Sequence, residues 1–61
     1  MDDLIRKRDK FLADAEDCAL IARLAANPTK RETFETLSAQ LRRMADLVER
    51  ALGRIKPRGQ P

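Results

Sequence analysis

A seven-residue apolar repeat in the second half of this chain constrains its fold more than any other feature. Its members are separated alternately by three and four residues: Phe34, Leu37, Leu41, Met44, Val48, Ala51 and Ile55. Because an α-helix turns once every 3.6 residues, this spacing places the side chains along one edge of a helix. The sequence therefore predicts a helix that packs lengthwise against other helices.

The first half carries a second apolar stripe, made mostly of small residues. Between Leu4 and Ala26 there is no Gly or Pro, and strong helix formers dominate. The stripe again alternates four and three: Leu4, Arg8, Phe11, Ala15, Cys18, Ala22 and Ala25. Because small side chains let helices approach closely, we expect an interaxial distance near about 8 Å.

Asn27-Pro28-Thr29 separates the two helical segments. Asn before Pro at a first helical position is a common helix start, and Thr29 with Glu32 offers a competing capping box. Either connection is very short, so the second helix must fold back antiparallel. The predicted fold is all-α, a two-helix antiparallel hairpin with helices at about 3–26 and 29–54. Residues 1–55 form the hairpin, and 56–61 form a flexible basic tail.

The antiparallel fold predicts which residues lie opposite each other. The expected pairs are Ala22–Phe34, Ala15–Leu41, Phe11–Met44 and Leu4–Ala51, and in all of them except Phe11–Met44 a small residue faces a large one. Such alternation is what interlocking side chains require. Arg8, which interrupts the first stripe, either extends its head to water at the end of the bundle or pairs with Glu49 or Asp46 and sets the register.

A second copy of the chain is the predicted source of additional stability. A domain of 61 residues buries only about 60% of its unfolded surface, so small domains usually add disulfides, a metal or a partner. Cys18 is the only cysteine and there is no His. We therefore expect two hairpins to pair into a dimeric four-helix bundle. The predicted packing seam is Phe11, Ala15, Cys18, Ala22, Phe34, Leu37, Leu41, Met44 and Val48, and the predicted second-chain contacts are Leu20, Ile21, Leu24 and Leu47.

The residue types disfavour an enzyme, a cofactor or a metal site. Ser38 is the only serine, and no His is present to activate it. The acidic group at Asp14, Glu16 and Asp17 lacks a Glu-x-x-His motif, so we interpret it as a solvated face. No secretion signal or membrane-spanning run is evident, and an unpaired thiol suits a reducing compartment, so we expect a cytoplasmic protein without a membrane partner.

The net charge of +3 is concentrated in the last nine residues. The antiparallel fold would bring this basic end beside the basic start of the chain. The residues that would contact a nucleic acid there are Arg6, Lys7, Lys10, Arg54, Lys56 and Arg58. Aromatic residues for base stacking are absent from this set, which makes it a weak nucleic-acid site.

Residues 15–45 resemble a group of short helical-hairpin proteins common in alphaproteobacteria. The matching positions are Ala15-Glu16-Asp17-Cys18, Ile21-Ala22, Ala25, Asn27-Pro28, Arg31, Phe34, Leu37, Leu41, Arg43 and Met44-Ala45. Asn27 stands where Asp is common, and Leu41 stands where an aromatic residue is common. The resemblance implies a helical hairpin and assigns no activity.

Together these features predict a small non-enzymatic module for protein–protein interaction and oligomerisation. Its expected partners are a second copy of itself and another protein. The alternative hypothesis is a hairpin dimer that binds nucleic acid weakly, or acts as a regulator, through its basic ends and tail.

Overall fold

Two long helices make up nearly all of the described chain. The computed structural model describes residues 2–55, in which α1 spans Asp2–Leu24 and α2 spans Pro28–Ile55. The helices pack against each other along their length, and 94% of this part is helical, with no strand. The predicted all-α hairpin is confirmed. The predicted tail, 56–61, lies outside the described residues.

The helix bounds differ slightly from the predicted ones. α1 ends at Leu24, two residues before the predicted end, and α2 begins at Pro28. Gly53, a plausible stop by sequence, lies inside α2 and does not have a positive φ. A glycine ends a helix most readily in the left-handed conformation, and in its absence α2 continues to Ile55.

Asn27 begins α2 and the connection is closed by local hydrogen bonds. Its side-chain Oδ1 accepts a bond from the Lys30 backbone N–H at 3.0 Å, and its carbonyl accepts one from the Arg31 N–H at 3.0 Å. Asn27 is therefore the N-cap and Pro28 the first helical residue, which selects the first of the two predicted starts. On the α1 side, Arg31 Nη2 donates to the Ala25 carbonyl at 3.3 Å. One residue of α2 thus satisfies a backbone acceptor just past the end of α1.

The contact between the helices is made by small residues. Ala15, Ala22 and Ala45 are 0–2% exposed, and Ser38 is 6% exposed. No large side chain is fully buried within residues 2–55. Small side chains permit close packing of the two backbones. The larger seam residues, such as Phe11 and Leu41, are therefore only half-buried beside this contact.

The seam of α2 differs from the predicted one. Leu37 and Met44 are 38% and 40% exposed, whereas the residues that follow them, Ser38 and Ala45, are buried. Phe34, Leu41 and Val48 belong to both seams and only the alternate positions move on by one residue, so α2 is rotated by about 50° toward its small residues. The rotation is favoured because α1 also presents alanines at the contact. The observed seam is Phe34, Ser38, Leu41, Ala45, Val48 and Leu52.

The register of the hairpin is shown by two long-range contacts. Ser38 Oγ donates a hydrogen bond to the Ala15 carbonyl at 2.8 Å. The sequence-based pairing placed Leu41 opposite Ala15, and Ser38 is three positions before Leu41, whereas Glu49 is one or two positions past the residue predicted to lie opposite Arg8. The two contacts therefore lie on either side of the predicted register, each within about one turn. Nearer the open end, Arg8 Nη1 lies 2.9 Å from Glu49 Oε1, as one of the two interpretations of Arg8 required.

Arg8 holds two carboxylates at this end of the hairpin. Besides Glu49, it contacts Asp9, with Nε 3.0 Å from Oδ1. The hydrogen bond to Glu49 first, and then that to Asp9, raises the pKa of the Arg8 guanidinium above its usual value. A raised pKa favours the folded state at every pH below the ordinary arginine pKa, and the effect is lost only as pH rises through the folded value. The pair is therefore insensitive to Arg8 titration at physiological pH.

Among the residues that the structure describes, neither helix has a stretch long and apolar enough to cross a membrane.

The close approach at Ala22 can be tested by overpacking. Replacing Ala22, 1% exposed, with Leu should destabilise the hairpin by about 1–3 kcal/mol, because the added carbons must push α2 away. Ala13→Leu, at an exposed position of the same helix, is the control and should change stability by less than about 0.5 kcal/mol. Thermal unfolding followed by circular dichroism measures both. A higher melting temperature for Ala22→Leu would contradict the close contact.

Candidate interaction surface

Large apolar side chains remain on the surface of the hairpin. Eight of them in the described part of the chain are 37–76% exposed: Ile5, Leu12, Leu20, Ile21, Leu24, Leu37, Met44 and Leu47. Single exposed apolar residues are common on proteins, but contiguous ones mark interaction sites. Whether these residues form contiguous surfaces on the two helices therefore decides where a partner could bind.

One uncharged strip runs along α2 beside its seam with α1. At alternating spacings of four and three it contains Thr33, Leu37, Gln40, Met44, Leu47 and Ala51, which we call the α2 strip. Five of the six are exposed, and Ala51 is half-buried. None is charged in a chain in which 38% of the residues are. Spacing of this kind is a second packing seam, and it extends about 27 Å.

A charged ridge follows the same side of α1. It consists of Lys7, Lys10, Asp14 and Asp17, which we call the α1 ridge, and the same spacing continues to Asp3 before it and to Ile21 after it. Lys10 Nζ lies 3.6 Å from Asp14 Oδ2, one turn further along, and these side chains are 73% and 43% exposed. The basic half of the ridge is nearer the N-terminus and the acidic half is nearer the connection. The charge of the ridge therefore changes from positive to negative along α1.

The α2 strip and the α1 ridge lie on one side of the hairpin. The opposite side is identified by the Arg8–Glu49 pair and by a depression where Leu12 and Arg42 lie together. At about 100° per residue, the strip is rotated from the seam of α2 away from Arg42 and Glu49. The ridge is rotated from the seam of α1 away from Arg8 and Leu12. Because the helices are antiparallel, both rotations lead to the same side.

The predicted second-chain contacts are divided between two surfaces. Leu47, 63% exposed, belongs to the α2 strip, and Ile21, 37% exposed, continues the line of the α1 ridge toward the connection. Leu20, 46% exposed, lies on the side of α1 that faces away from α2, and Leu24, 76% exposed, lies seven residues after Asp17, at the edge between that side and the line of the α1 ridge. Of the predicted seam, Phe11, Cys18, Phe34, Leu41 and Val48 are half-buried.

The basic residues of the nucleic-acid hypothesis lie at the open end of the hairpin. Arg6, Lys7 and Lys10 line one shallow depression together with Asp3. Arg54 is exposed in the last turn of α2, which the antiparallel fold brings to the same end. Lys56 and Arg58 lie outside the described residues. Asp3 and Asp14 accompany these bases, so this end is of mixed charge.

Ser38 is a structural residue that the sequence analysis considered only as a nucleophile. It is buried between the helices and donates to the Ala15 carbonyl. Its position, four residues after Phe34 and three before Leu41, was the available signal, because that spacing belongs to the seam. A hydroxyl at this position can donate a hydrogen bond to the backbone of the facing helix, because the two helices are in close contact there.

Between residues 2 and 55, no three His, Cys, Asp or Glu side chains are grouped so that they could hold a metal ion. Cys18 is a free thiol and is half-buried. The depressions on the described surface are shallow and open, such as the one lined by Thr33, Leu37 and Gln40 on the α2 strip.

The chain was compared with known proteins. No family model, no curated protein and no solved structure matches it. The resemblance to the alphaproteobacterial hairpin proteins therefore stays a prediction.

The buried hydroxyl provides a test of the observed seam. Ser38→Ala removes the bond to the Ala15 carbonyl and should cost about 0.5–1.5 kcal/mol. Thr36→Ala, which removes an exposed hydroxyl two residues away, is the matched control, because both changes gain similar helix propensity. Urea unfolding measures the difference in free energy of unfolding. Equal stability of the two variants would show that Ser38 does not contribute across the helix contact.

Proposed function

We propose that this protein is a small protein–protein interaction module that associates with a second copy of itself into a four-helix bundle. One observation supports this proposal above all. Among the described side chains, only three alanines and one serine are buried, while eight large apolar side chains remain at least 37% exposed. A chain that buries so little apolar surface by itself gains stability by covering the rest with a partner.

The physical reason is that burying an alanine side chain contributes little free energy to folding. One buried methyl group contributes about 0.8 kcal/mol, whereas fixing the backbone of one residue costs about 1–2 kcal/mol. Half-buried Phe and Leu side chains contribute more once a second hairpin covers them. A second copy supplies the same apolar surface, and closed twofold pairing is the commonest form of self-association.

Another protein is the proposed occupant of the outward side of α1. Leu24 is the most exposed large apolar side chain in the described part of the chain, and Leu20 lies one turn before it. Leu20 is rotated away from α2 and from the side that holds the α2 strip, and Leu24 lies near the connection, past the last charged residue of the α1 ridge. They therefore remain available in a bundle that closes over that strip. The unpaired thiol of Cys18 suits a reducing compartment, which supports a cytoplasmic location for the module.

Self-association is tested by the concentration dependence of folding. For a dimer that folds as it assembles, a tenfold rise in concentration adds about 1.4 kcal/mol. For two chains of this length the melting temperature should rise by roughly 5 °C. Circular dichroism melts and sedimentation equilibrium from low to high micromolar concentration measure both. A folded single chain whose melting temperature does not depend on concentration would overturn the proposal.

The nucleic-acid hypothesis is favoured by one observation, the placement of Arg6, Lys7 and Lys10 at the same end as Arg54. Binding through such residues would weaken steeply as salt rises, since it depends on release of counterions from phosphates. Titration of labelled duplex DNA and RNA at low and physiological salt separates this hypothesis from the first. We expect no saturable binding at low salt. Tight, salt-sensitive binding would favour the alternative.

A further inference from the structure

We infer that the second copy docks antiparallel, with the α2 strip against the α2 strip of its partner and the α1 ridge against the partner's α1 ridge. This inference rests on the proposed self-association and adds to it the surface, the orientation and the register. Three features of the described residues support it. They are the symmetry of the strip, the charge order of the ridge, and the agreement between the two helices on a single axis.

The α2 strip is symmetric in residue character about position 42. Thr33 and Ala51, at equal distances from this position, are both small. Leu37 and Leu47 are the next symmetric pair inward. Gln40 and Met44 form the central pair, and both are unbranched and of similar length. In a twofold contact each residue meets its symmetric counterpart, so a strip of this kind is complementary to itself.

The spacing of the strip also fits antiparallel pairing. Its positions alternate between the two seam positions of a heptad, with Leu37, Met44 and Ala51 on one set and Thr33, Gln40 and Leu47 on the other. Symmetry about position 42 pairs each member of one set with a member of the other. In an antiparallel pair of helices, each layer contains one residue from the first set on one helix and one residue from the second set on the other. A parallel pair would instead stack Gln40 on Gln40 and Met44 on Met44.

The α1 ridge is complementary in charge to a reversed copy of itself. Symmetry about position 12 places Lys7 opposite Asp17 of the second copy and Lys10 opposite its Asp14. The same operation repeats both pairs, so each basic side chain meets an acidic one. A parallel arrangement would place like charges together, which is unfavourable. The order of two lysines followed by two aspartates therefore selects an antiparallel copy as the occupant.

The two symmetric centres lie at the same height in the hairpin. A single twofold axis requires position 12 of α1 and position 42 of α2 to be level with each other. The structure meets this condition to within about one turn, because Leu12 and Arg42 line the same depression on the far side of the molecule, together with Arg8 and Glu49. The register of the Ser38–Ala15 and Arg8–Glu49 contacts brackets this pairing. The centres were located on separate helices from residue type alone, so their agreement supports one axis.

The inferred contact closes a square of four helices. On α2 the strip and the seam with α1 are about 100° apart, which is the angle between neighbours in such a bundle. Phe34, Leu41 and Val48 form the edge of the α1 seam that is nearer the α2 strip, and these half-buried side chains would line the interior of the bundle. Arg43 would approach Arg43 of the second copy at the outer rim. Water screens that contact, and it weakens the pairing only slightly.

Site-directed disulfides test the orientation and the register in the full-length chain. Gln40→Cys and Met44→Cys are made separately in a Cys18→Ala background, one with an affinity tag so that mixed and self-linked products differ in mass. After unfolding and refolding together under mild oxidation, the mixed 40–44 product should exceed either self-linked product by about tenfold. The reason is that only the symmetric pair brings Cα atoms within disulfide reach, about 7 Å. Circular dichroism checks that each variant folds.

A second pair of variants examines the ridge, and one position serves as the control. Lys7→Cys mixed with Asp17→Cys should again give mainly the mixed product. Ala13→Cys, exposed on the outward side of α1, should form little disulfide under the same conditions.

The outcomes separate this inference from the proposed function. Mixed products for both pairs support the inferred interface. Self-linked 40–40 and 44–44 products would show a parallel dimer and overturn it. A dimer by sedimentation that forms no disulfide at any of these positions would show that another surface is used, which overturns the inference and leaves self-association intact. A folded single chain by sedimentation would overturn both.

Discussion

The close contact between small residues of the two helices determines the rest of this structure. Ala15, Ala22 and Ala45 are at most 2% exposed, and Ser38 donates a hydrogen bond across the contact to the Ala15 carbonyl. Because the closest approach is made by alanine and serine, larger side chains cannot lie between the helices. Phe, Leu, Ile and Met residues are displaced to the edges of the contact, where they are half-buried or exposed. The hairpin therefore has a tight central line and apolar edges that remain to be covered.

The direction of those edges follows from a small rotation of α2. Had Leu37 and Met44 occupied the seam, the hairpin would have buried its largest residues and left a more polar exterior. Instead α2 presents Ser38 and Ala45 to α1, and the next uncharged column is left on one side of the molecule. That column is the α2 strip, and the α1 ridge lies beside it. The same rotation that allows the close contact thus creates the surface on which we propose that a second copy docks.

Polar contacts fix the ends of the hairpin while its middle is held by packing. Asn27 caps α2, and Arg31 reaches back to the Ala25 carbonyl, so the connection is closed without a glycine. At the open end, Arg8 joins Glu49 across the hairpin. These contacts are mostly exposed and each contributes little to stability, but together they leave the two helices few alternative registers. A defined register matters here because the symmetry of the strip and that of the ridge coincide only when Leu12 and Arg42 are level.

The sequence by itself determined that the chain forms two helices joined at Asn27-Pro28, because helix propensity, heptad spacing and a cap are local properties. It also identified Arg8–Glu49 as one of two candidate cross-hairpin pairs, and Leu47 as an apolar residue outside the predicted seam. Only the tertiary structure decided which edge of α2 meets α1. The α2 sequence fits two overlapping seams, one through Leu37 and Met44 and the other through Ser38 and Ala45. Which of them contacts α1 depends on how closely the alanines of α1 let the two helices approach. That distance is a property of both helices together, so no spacing read along one of them determines it.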